Sequence, residues 1–448
     1  MNRLRAGEND LDDPLYYARA VHFAATLTVS GITLFAVFIA DPALRKAPHA
    51  AAMAVTLRSR IGWIAWISLA LAVLSGAAWL VLTASSMSGE TVADVLSQGV
   101  LLTVLSQTDF GQDWLARSVL VVLVAAVLVP LLSAKGATSV WLKAAAVLVG
   151  ASFVGSLAFA GHGIGDEGIA GIVHPIADIS HLIAVAAWAG ALVPLALLLS
   201  LTGENADTLA VARTATLRFS TLGIVCVTTI LITGMVNSWY LVGSIPAFTE
   251  TAYGQLLLVK IALFAAMVGI AAWNWSQLTP KLIQDADLAA ARKARRQLCR
   301  NAAAEAALGA VIVAIVAALG TMAPASHANH HAIEGAIPAD ASFQHIHSEN
   351  GMADVLVEPG RVGTASVTIH LLDDDLETLP AQAVTLTLTA PTPAGKPISR
   401  AALQDSDGEW HVDGIELTEP GNWTVTVDAL LATNRRLRLA APIVIDAK

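Results

Sequence analysis

Charge is what this chain has least of. Only 14% of its 448 residues are Asp, Glu, Lys or Arg, against about 25% in an ordinary soluble domain. That deficit excludes a freely soluble globular protein and a disordered one alike. A basic surplus is missing too, because 26 Lys and Arg face 35 Asp and Glu, so nucleic acid is not a natural partner. Cysteine is almost absent: Cys226 and Cys299 stand far apart and in no CxxC pattern, which removes a disulfide framework and a zinc finger. There is no Walker-type phosphate loop and no DKTG motif, which disfavours ATP-driven pumping. No signal peptide is evident, since residues 1–14 are polar and of mixed charge. What the chain does contain is apolar sequence, 55% of residues, with a mean hydropathy of +0.64.

That apolar sequence is concentrated in eight runs, roughly 16–40, 61–83, 115–134, 141–161, 175–201, 219–241, 255–278 and 301–322. Each is near the ~20 residues a helix needs to cross hydrocarbon. The loops after runs 1, 3, 5 and 7 hold 14 basic residues (Arg45, Lys46, Arg58, Arg60, Lys135, Lys143, Arg213, Arg218, Lys281, Arg292, Lys293, Arg295, Arg296 and Arg300), while the alternate loops hold Arg117 alone. The positive-inside rule therefore puts the first set in the cytoplasm and both termini outside. Between runs 2 and 3 an amphipathic stretch predicts a helix lying at the outer interface. Past residue 322 the character changes. Residues 1–321 are nearly balanced, with 19 basic and 18 acidic, but 322–448 carry 7 and 17. Alternating runs such as 384–389 and 423–427, separated by Pro-Gly and Asp-Gly turns, predict six or seven short strands. The expected architecture is a membrane all-α bundle of eight transmembrane helices followed by an all-β, immunoglobulin-like sandwich. Its parts are an outer tail (1–14), the bundle (15–325), a His-rich linker (326–342) and the sandwich (343–448).

This topology sorts the twelve histidines. All but His49 fall on the outer side or in the outer leaflet, and imidazole is the side chain that binds Cu, Zn, Fe and Ni at neutral pH. In HPIADISH, His174, Asp178 and His181 are spaced i, i+4, i+7, an arc of about 60° on one helix face. Such groups are costly against lipid and predict an inward-facing stripe. Asp178 is a direct ligand or an orienting acceptor for an imidazole. His22, at matching depth in run 1, and His162, at the end of run 4, are the completing candidates. The same histidines also fit plain interhelical hydrogen bonding, or a haem held axially by His22 and His181. Met235 and Asn237 fit either a soft-ligand path or ordinary packing. Lys260 is expected either to snorkel outward or to pair with Asp178 or take another role on the pathway, and Glu305 to pair with the Arg295, Arg296 and Arg300 cluster. In the sandwich, His345 and His347 share one strand face with Met352 nearby, a donor set suited to copper. His370 and His411 lack obvious partners and are expected to be structural.

Several segments in order (ARAVHF, TDFGQDWLAR, GHG at 161–163, HPIADISHLIAVAAWAGAL, RFS at 218–220, TGMVNS, YGQLLLVK and the Glu305 region) resemble the membrane domain of the copper resistance protein D family over residues 15–325. The region from Phe343 onward is similar to YtkA-like extracytoplasmic domains. The resemblance implies a copper ion as cargo, with His22, His162, His174 and His181 as ligand candidates. It also implies a role in copper homeostasis and a periplasmic copper chaperone as partner. The resulting expectation is a non-enzymatic permease importing copper across the membrane, less active in acid as its imidazoles protonate. The alternatives are a bis-His membrane cytochrome and a non-transporting copper sensor or assembly scaffold.

Overall fold

A computed structural model describes residues 14–447 except 89, 98, 134–138, 161–169, 204, 243–244, 285–287, 323–337, 339, 349–350, 373–377, 392–396, 406–407 and 433–434. The chain separates into two compact units, residues 1–326 and 327–448. The first contains eight helices long and apolar enough to cross a membrane: α1 (Pro14–Arg45), α2 (Ala51–Ser88), α3 (Phe110–Leu131), α4 (Val140–Phe159), α5 (Ile172–Leu201), α6 (Ala206–Val242), α7 (Ala252–Ile283) and α8 (Leu288–Leu319). Helices α2, α6 and α8 begin 10 or more residues before their apolar runs. A hydropathy count marks only what hydrocarbon must cover, whereas a helix continues into the interface with its backbone bonds intact. The amphipathic stretch forms two short helices, Val92–Ser97 and Val100–Gln107, because Gly99 turns left-handed at φ 78° between them.

At the end carrying the basic connections, Asp41 is buried and accepts from Lys143 at 2.6 Å and Arg58 at 3.3 Å. Basic residues expected in loops thus tie α1, α2 and α4 together. Arg117 is a clear departure from the expected topology. It is no loop charge but one of the most fully buried side chains of the bundle, inside α3.

The bundle is a repeat of two four-helix halves. Residues 108–117 (TDFGQDWLAR) and 251–260 (TAYGQLLLVK) share the pattern Thr-x-aromatic-Gly-Gln-x-x-Leu-x-cation, and the shared residues do the same work. Thr108 caps α3 by accepting from the Gly111 N–H at 3.0 Å, and Thr251 caps α7 by accepting from the Gly254 N–H at 2.9 Å. At both glycines the carbonyl of the preceding short helix, Val104 or Ala247, occupies the place of a Cβ. A second shared spacing sets Gly31 nine residues after His22 and Gly190 nine after His181. These glycines meet where α1 crosses α5, backbone against backbone, so a Cβ on Gly31 would overlap the Gly190 main chain. Because each half has four spans, the two enter the membrane in the same orientation.

Among the described residues the second unit has nine strands: β1 (Ser342–Ser348), β2 (Gly351–Glu358), β3 (Gly363–Leu372), β4 (Ala381–Thr389), β5 (Ile398–Ala401), β6 (Leu403–Gln404), β7 (Trp410–Leu417), β8 (Gly421–Leu431) and β9 (Arg436–Ile445). They form antiparallel sheets in the orders β1-β2-β3-β7-β6 and β5-β4-β8-β9, around a core that includes Trp423, Val355, Ile369 and Val425. The strands beyond the six or seven expected are β5 and β6, short edge pieces whose residues carry no apolar alternation.

Candidate metal centre

The expected stripe on α5 is real, and it faces α6. His174 stacks on Tyr240 with ring centroids 4.9 Å apart and planes 11° from parallel. Asp178 accepts from the Asn237 side-chain amide at 3.1 Å, and His181 Nδ1 lies 2.9 Å from Thr233 Oγ1. The partners 233, 237 and 240 are themselves i, i+4, i+7, so two antiparallel helices zip three polar pairs along one seam. The Thr233 hydroxyl has one proton and gives it to the Thr229 carbonyl at 2.7 Å. It therefore accepts from His181 Nδ1–H, which leaves the Nε2 lone pair of His181 available as a ligand. The ring lines a cavity of about 630 Å³ between α1, α5, α6, α7 and α8, together with Lys260, Met235, Met267 and Ser238. Lys260 lies within electrostatic reach of both Asp178 and His181, so its environment is the seam and not only the membrane surface. Asn237 Oδ1 is buried with no hydrogen-bond partner, an acceptor left open within the seam.

The equivalent place in the first half is closed. His22 Nδ1 is 2.9 Å from the Ala72 carbonyl and Nε2 is 2.7 Å from Arg117 Nη2. A guanidinium only donates, so Nε2 accepts, Nδ1 carries the proton, and both ring nitrogens are engaged. Arg117 is held in turn by Ser156 Oγ at 2.6 Å and lies over the rings of Trp114 and Phe153. The halves correspond pair by pair around this difference. Where the second has His181 beside Thr233 and Lys260, the first has His22 beside Ser75 and Arg117. Where the second has Asp178 on Asn237, the first has Arg19 over the Trp79 ring at 4.9 Å. Where His174 stacks on Tyr240, Leu15 and Leu82 pack in one apolar cluster.

His22 therefore does not complete a ligand set with the α5 stripe, because its ring partners come from α2 and α3. Among the described residues no group of three or more His, Cys, Asp or Glu side chains is gathered to hold a metal. His162 lies outside the described residues. Glu305 also departs from expectation. Its partner is Asn274, which donates at 2.9 Å, while Arg295 turns to the Leu199 carbonyl at 2.6 Å.

On the sandwich, cross-strand register puts His345 of β1, Asp354 of β2 and His370 of β3 side by side on one sheet face. His345 Nδ1 lies 2.5 Å from Asp354 Oδ1, and Asp354 is buried with Oδ2 unbonded. His370 and His411 are not isolated, since Glu409 stands between them at 2.6 Å and 3.6 Å. His347 pairs with Met352 in register. Met352 is buried, and the His347 side chain lies outside the described residues.

A model of the copper resistance protein D-like N-terminal domain matches residues 10–172, and one of copper resistance protein D matches residues 213–319. Copper resistance protein D of Pseudomonas syringae pv. tomato is 31% identical over 319 residues, 70% of this chain and 98% of that protein. The chain belongs to the copper resistance protein D family. Within the same comparison, inner membrane protein YebZ of Escherichia coli K12 is 30% identical over 306 residues, 68% of this chain and 97% of its own. Copper transport protein CutJ of Bacillus subtilis 168 is 26% identical over 338 residues, 74% of this chain and 58% of CutJ. Likeness to an inner membrane protein and eight apolar helices agree on a multi-pass inner-membrane location. For this copper resistance protein D family member, the residues missed by reading charge and histidine alone are Arg117 and Thr233, whereas Lys260 lines the cavity near Asp178, one of its two expected roles. The repeated Thr-x-aromatic-Gly-Gln segment carried the signal, since it sets both cations nine residues after a capping threonine.

Proposed function

We propose that this chain is a permease that moves copper inward across the cytoplasmic membrane, with His181 as the ligand that admits the ion to the bundle. The observation carrying this reading is the His181 Nε2 lone pair on a cavity whose walls include Met235 and Met267. Imidazole nitrogen and thioether sulfur suit Cu(I) at low coordination number. A weak, incomplete site is what conduction needs, because an ion caged too deeply does not leave. Asp178 and Asn237 supply negative potential and an open acceptor at the approach to His181. His345, Asp354, His370 and Glu409 make the acidic sandwich a collector, one that a periplasmic copper chaperone would load. The termini are periplasmic in this reading, as the distribution of basic residues supports. Against the cytochrome alternative stands Arg117, which occupies the His22 nitrogen a haem iron would need.

The test is copper accumulation, measured by elemental analysis of cells expressing the wild type, His181→Ala or Asp178→Asn at matched membrane levels. Accumulation is expected to fall to the vector background in His181→Ala and by about tenfold in Asp178→Asn, the loss of one charge-assisted contact of about 1.4 kcal/mol. Wild-type accumulation in His181→Ala overturns the reading and leaves a sensor or scaffold role.

A further inference from the structure

A second cavity, of about 260 Å³, lies toward the basic end of the bundle. Its walls include Glu305, Asn274, Thr216, Ser220 and Thr279, and it shares Trp188 with the cavity of His181. Its donors are of one kind: a carboxylate, an amide and hydroxyls, with no histidine, cysteine or methionine on its walls. Oxygen ligands of this sort are poor for copper and suited to a proton or a hard cation.

We infer that Glu305 is a proton-binding site that exchanges with the aqueous phase at the basic end and is coupled across Trp188 to the metal cavity. Glu305 is 2% exposed, deep in α8, where an ionisable group is costly unless it has a task. A directed chain of amides fixes one of its oxygens. Exposed Gln297 donates to Asn301 at 2.8 Å, Asn301 donates to Asn274 at 2.6 Å, and Asn274 donates to Glu305 Oε1 at 2.9 Å. Asn274 opens a π-helical turn, Asn274–Leu278, within α7, and its main-chain carbonyl accepts from Thr279 at 2.9 Å. Such a turn breaks the regular ladder and often marks a working position. Among the described residues no side chain bonds Oε2, and Glu305 lines the cavity. Thr216, 5% exposed, has an Oγ1 with no hydrogen-bond partner and lines the same space.

Of the charged groups on the surrounding helices, Arg213 on α6 donates to the Leu282 carbonyl and Arg218 to the Phe38 carbonyl, while on α8 itself Arg295 donates to the Leu199 carbonyl and Lys293, Arg296 and Arg300 are exposed; the nearby Cys299 thiol donates to the Ala196 carbonyl. Lys281 sits at the far end of α7, and the facing stretch of α5, 192–201, carries no ionisable group. A protonated Glu305 can donate through cavity water to Thr216 Oγ1; an ionised one keeps the Asn274 bond. Both states therefore have partners, and the proton passes between the carboxyl oxygen and water with no other bond changed.

The coupling part of this inference rests on the permease reading, but the protonation site does not, and the experiment separates them. Membranes containing the full-length protein are treated with dicyclohexylcarbodiimide, which modifies protonated carboxyls in apolar surroundings, and the adduct at Glu305 is measured by peptide mass spectrometry. The adduct is expected to fall about tenfold per pH unit above its midpoint and to be indifferent to sodium at fixed pH. Failure to label at any pH, or protection by sodium at constant pH, overturns the proton assignment, the latter in favour of a hard cation. In parallel, Glu305→Gln is expected to bind copper as the wild type does while its uptake loses dependence on pH at the basic side. A wild-type pH profile in Glu305→Gln overturns the coupling. A wild type that labels normally yet moves no copper defeats the permease reading alone.

Discussion

The unequal halves of the bundle predict that His22 and His181, its two equivalent intramembrane histidines, fail in opposite ways when removed. Replacing His22 by alanine strips the partner from a buried guanidinium N–H of Arg117 and takes one donor from the Ala72 carbonyl, which keeps the Ser75 hydroxyl at 3.4 Å. Leaving a buried polar group unsatisfied costs about 1–3 kcal/mol, moderated in membranes, where side-chain bonds average about 0.6 kcal/mol. A loss of about 2–4 kcal/mol is expected, or about 4–16 °C in melting temperature at about 2–4 °C per kcal/mol. His181→Ala removes a single neutral bond to Thr233, whose hydroxyl keeps the Thr229 carbonyl. That loss is about 0.5–1.5 kcal/mol, within about 1–5 °C. The assay is the thermal loss of the monodisperse peak of detergent-solubilised protein, read beside copper uptake at matched expression. His22→Ala should melt early and transport in proportion to folded protein, while His181→Ala should melt late and not transport. Equal melting shifts, or an uptake defect confined to His22→Ala, would refute the assignment of an open second half and a sealed first half.

Other consequences are local. Gly254→Ala and Gly111→Ala drive a methyl into the Ala247 and Val104 carbonyls; each should cost about 1–3 kcal/mol, visible as a lowered melting temperature with the threonine caps still in place. Asp41→Ala leaves the ammonium of Lys143 and the guanidinium of Arg58 without their buried carboxylate and should cost about 3–5 kcal/mol. Membrane yield and melting temperature both report it, and an unchanged melt contradicts the burial of that triad. Trp423→Ala empties the centre of the sandwich at about 3–5 kcal/mol. It should make residues 343–448 protease-sensitive while the bundle stays intact.

The two-part architecture was legible because its signals are long and redundant. Eight apolar runs and a change of period from helical to alternating survive any error of a few residues. The α5 stripe was legible for the same reason, since i, i+4, i+7 spacing names a face. What it faces was not, because Thr233, Asn237 and Tyr240 are ordinary residues until α6 is laid antiparallel to α5. Matching depth of His22 and His181 suggested one shared ion, yet depth says nothing of rotation about the bundle axis. The Gly31–Gly190 crossing and the equivalent spacings explain the match as repetition, two copies of one position instead of two walls of one site. Arg117, at the edge of run 3, reads as a loop charge in the sequence because no sequence window shows that Ser156 and His22 receive it. Glu305 was matched to nearby arginines by sequence distance, whereas its partner Asn274 is 31 residues away on another helix.

The central claim is that the cavity containing His181 conducts copper. It is tested most directly with purified full-length protein in liposomes that enclose a Cu(I)-selective fluorescent chelator, with Cu(I) supplied outside. A copper-dependent signal from the wild type that disappears in His181→Ala and persists in folded His22→Ala is the predicted result. No signal from correctly folded wild type, or equal signals from wild type and His181→Ala, would contradict it.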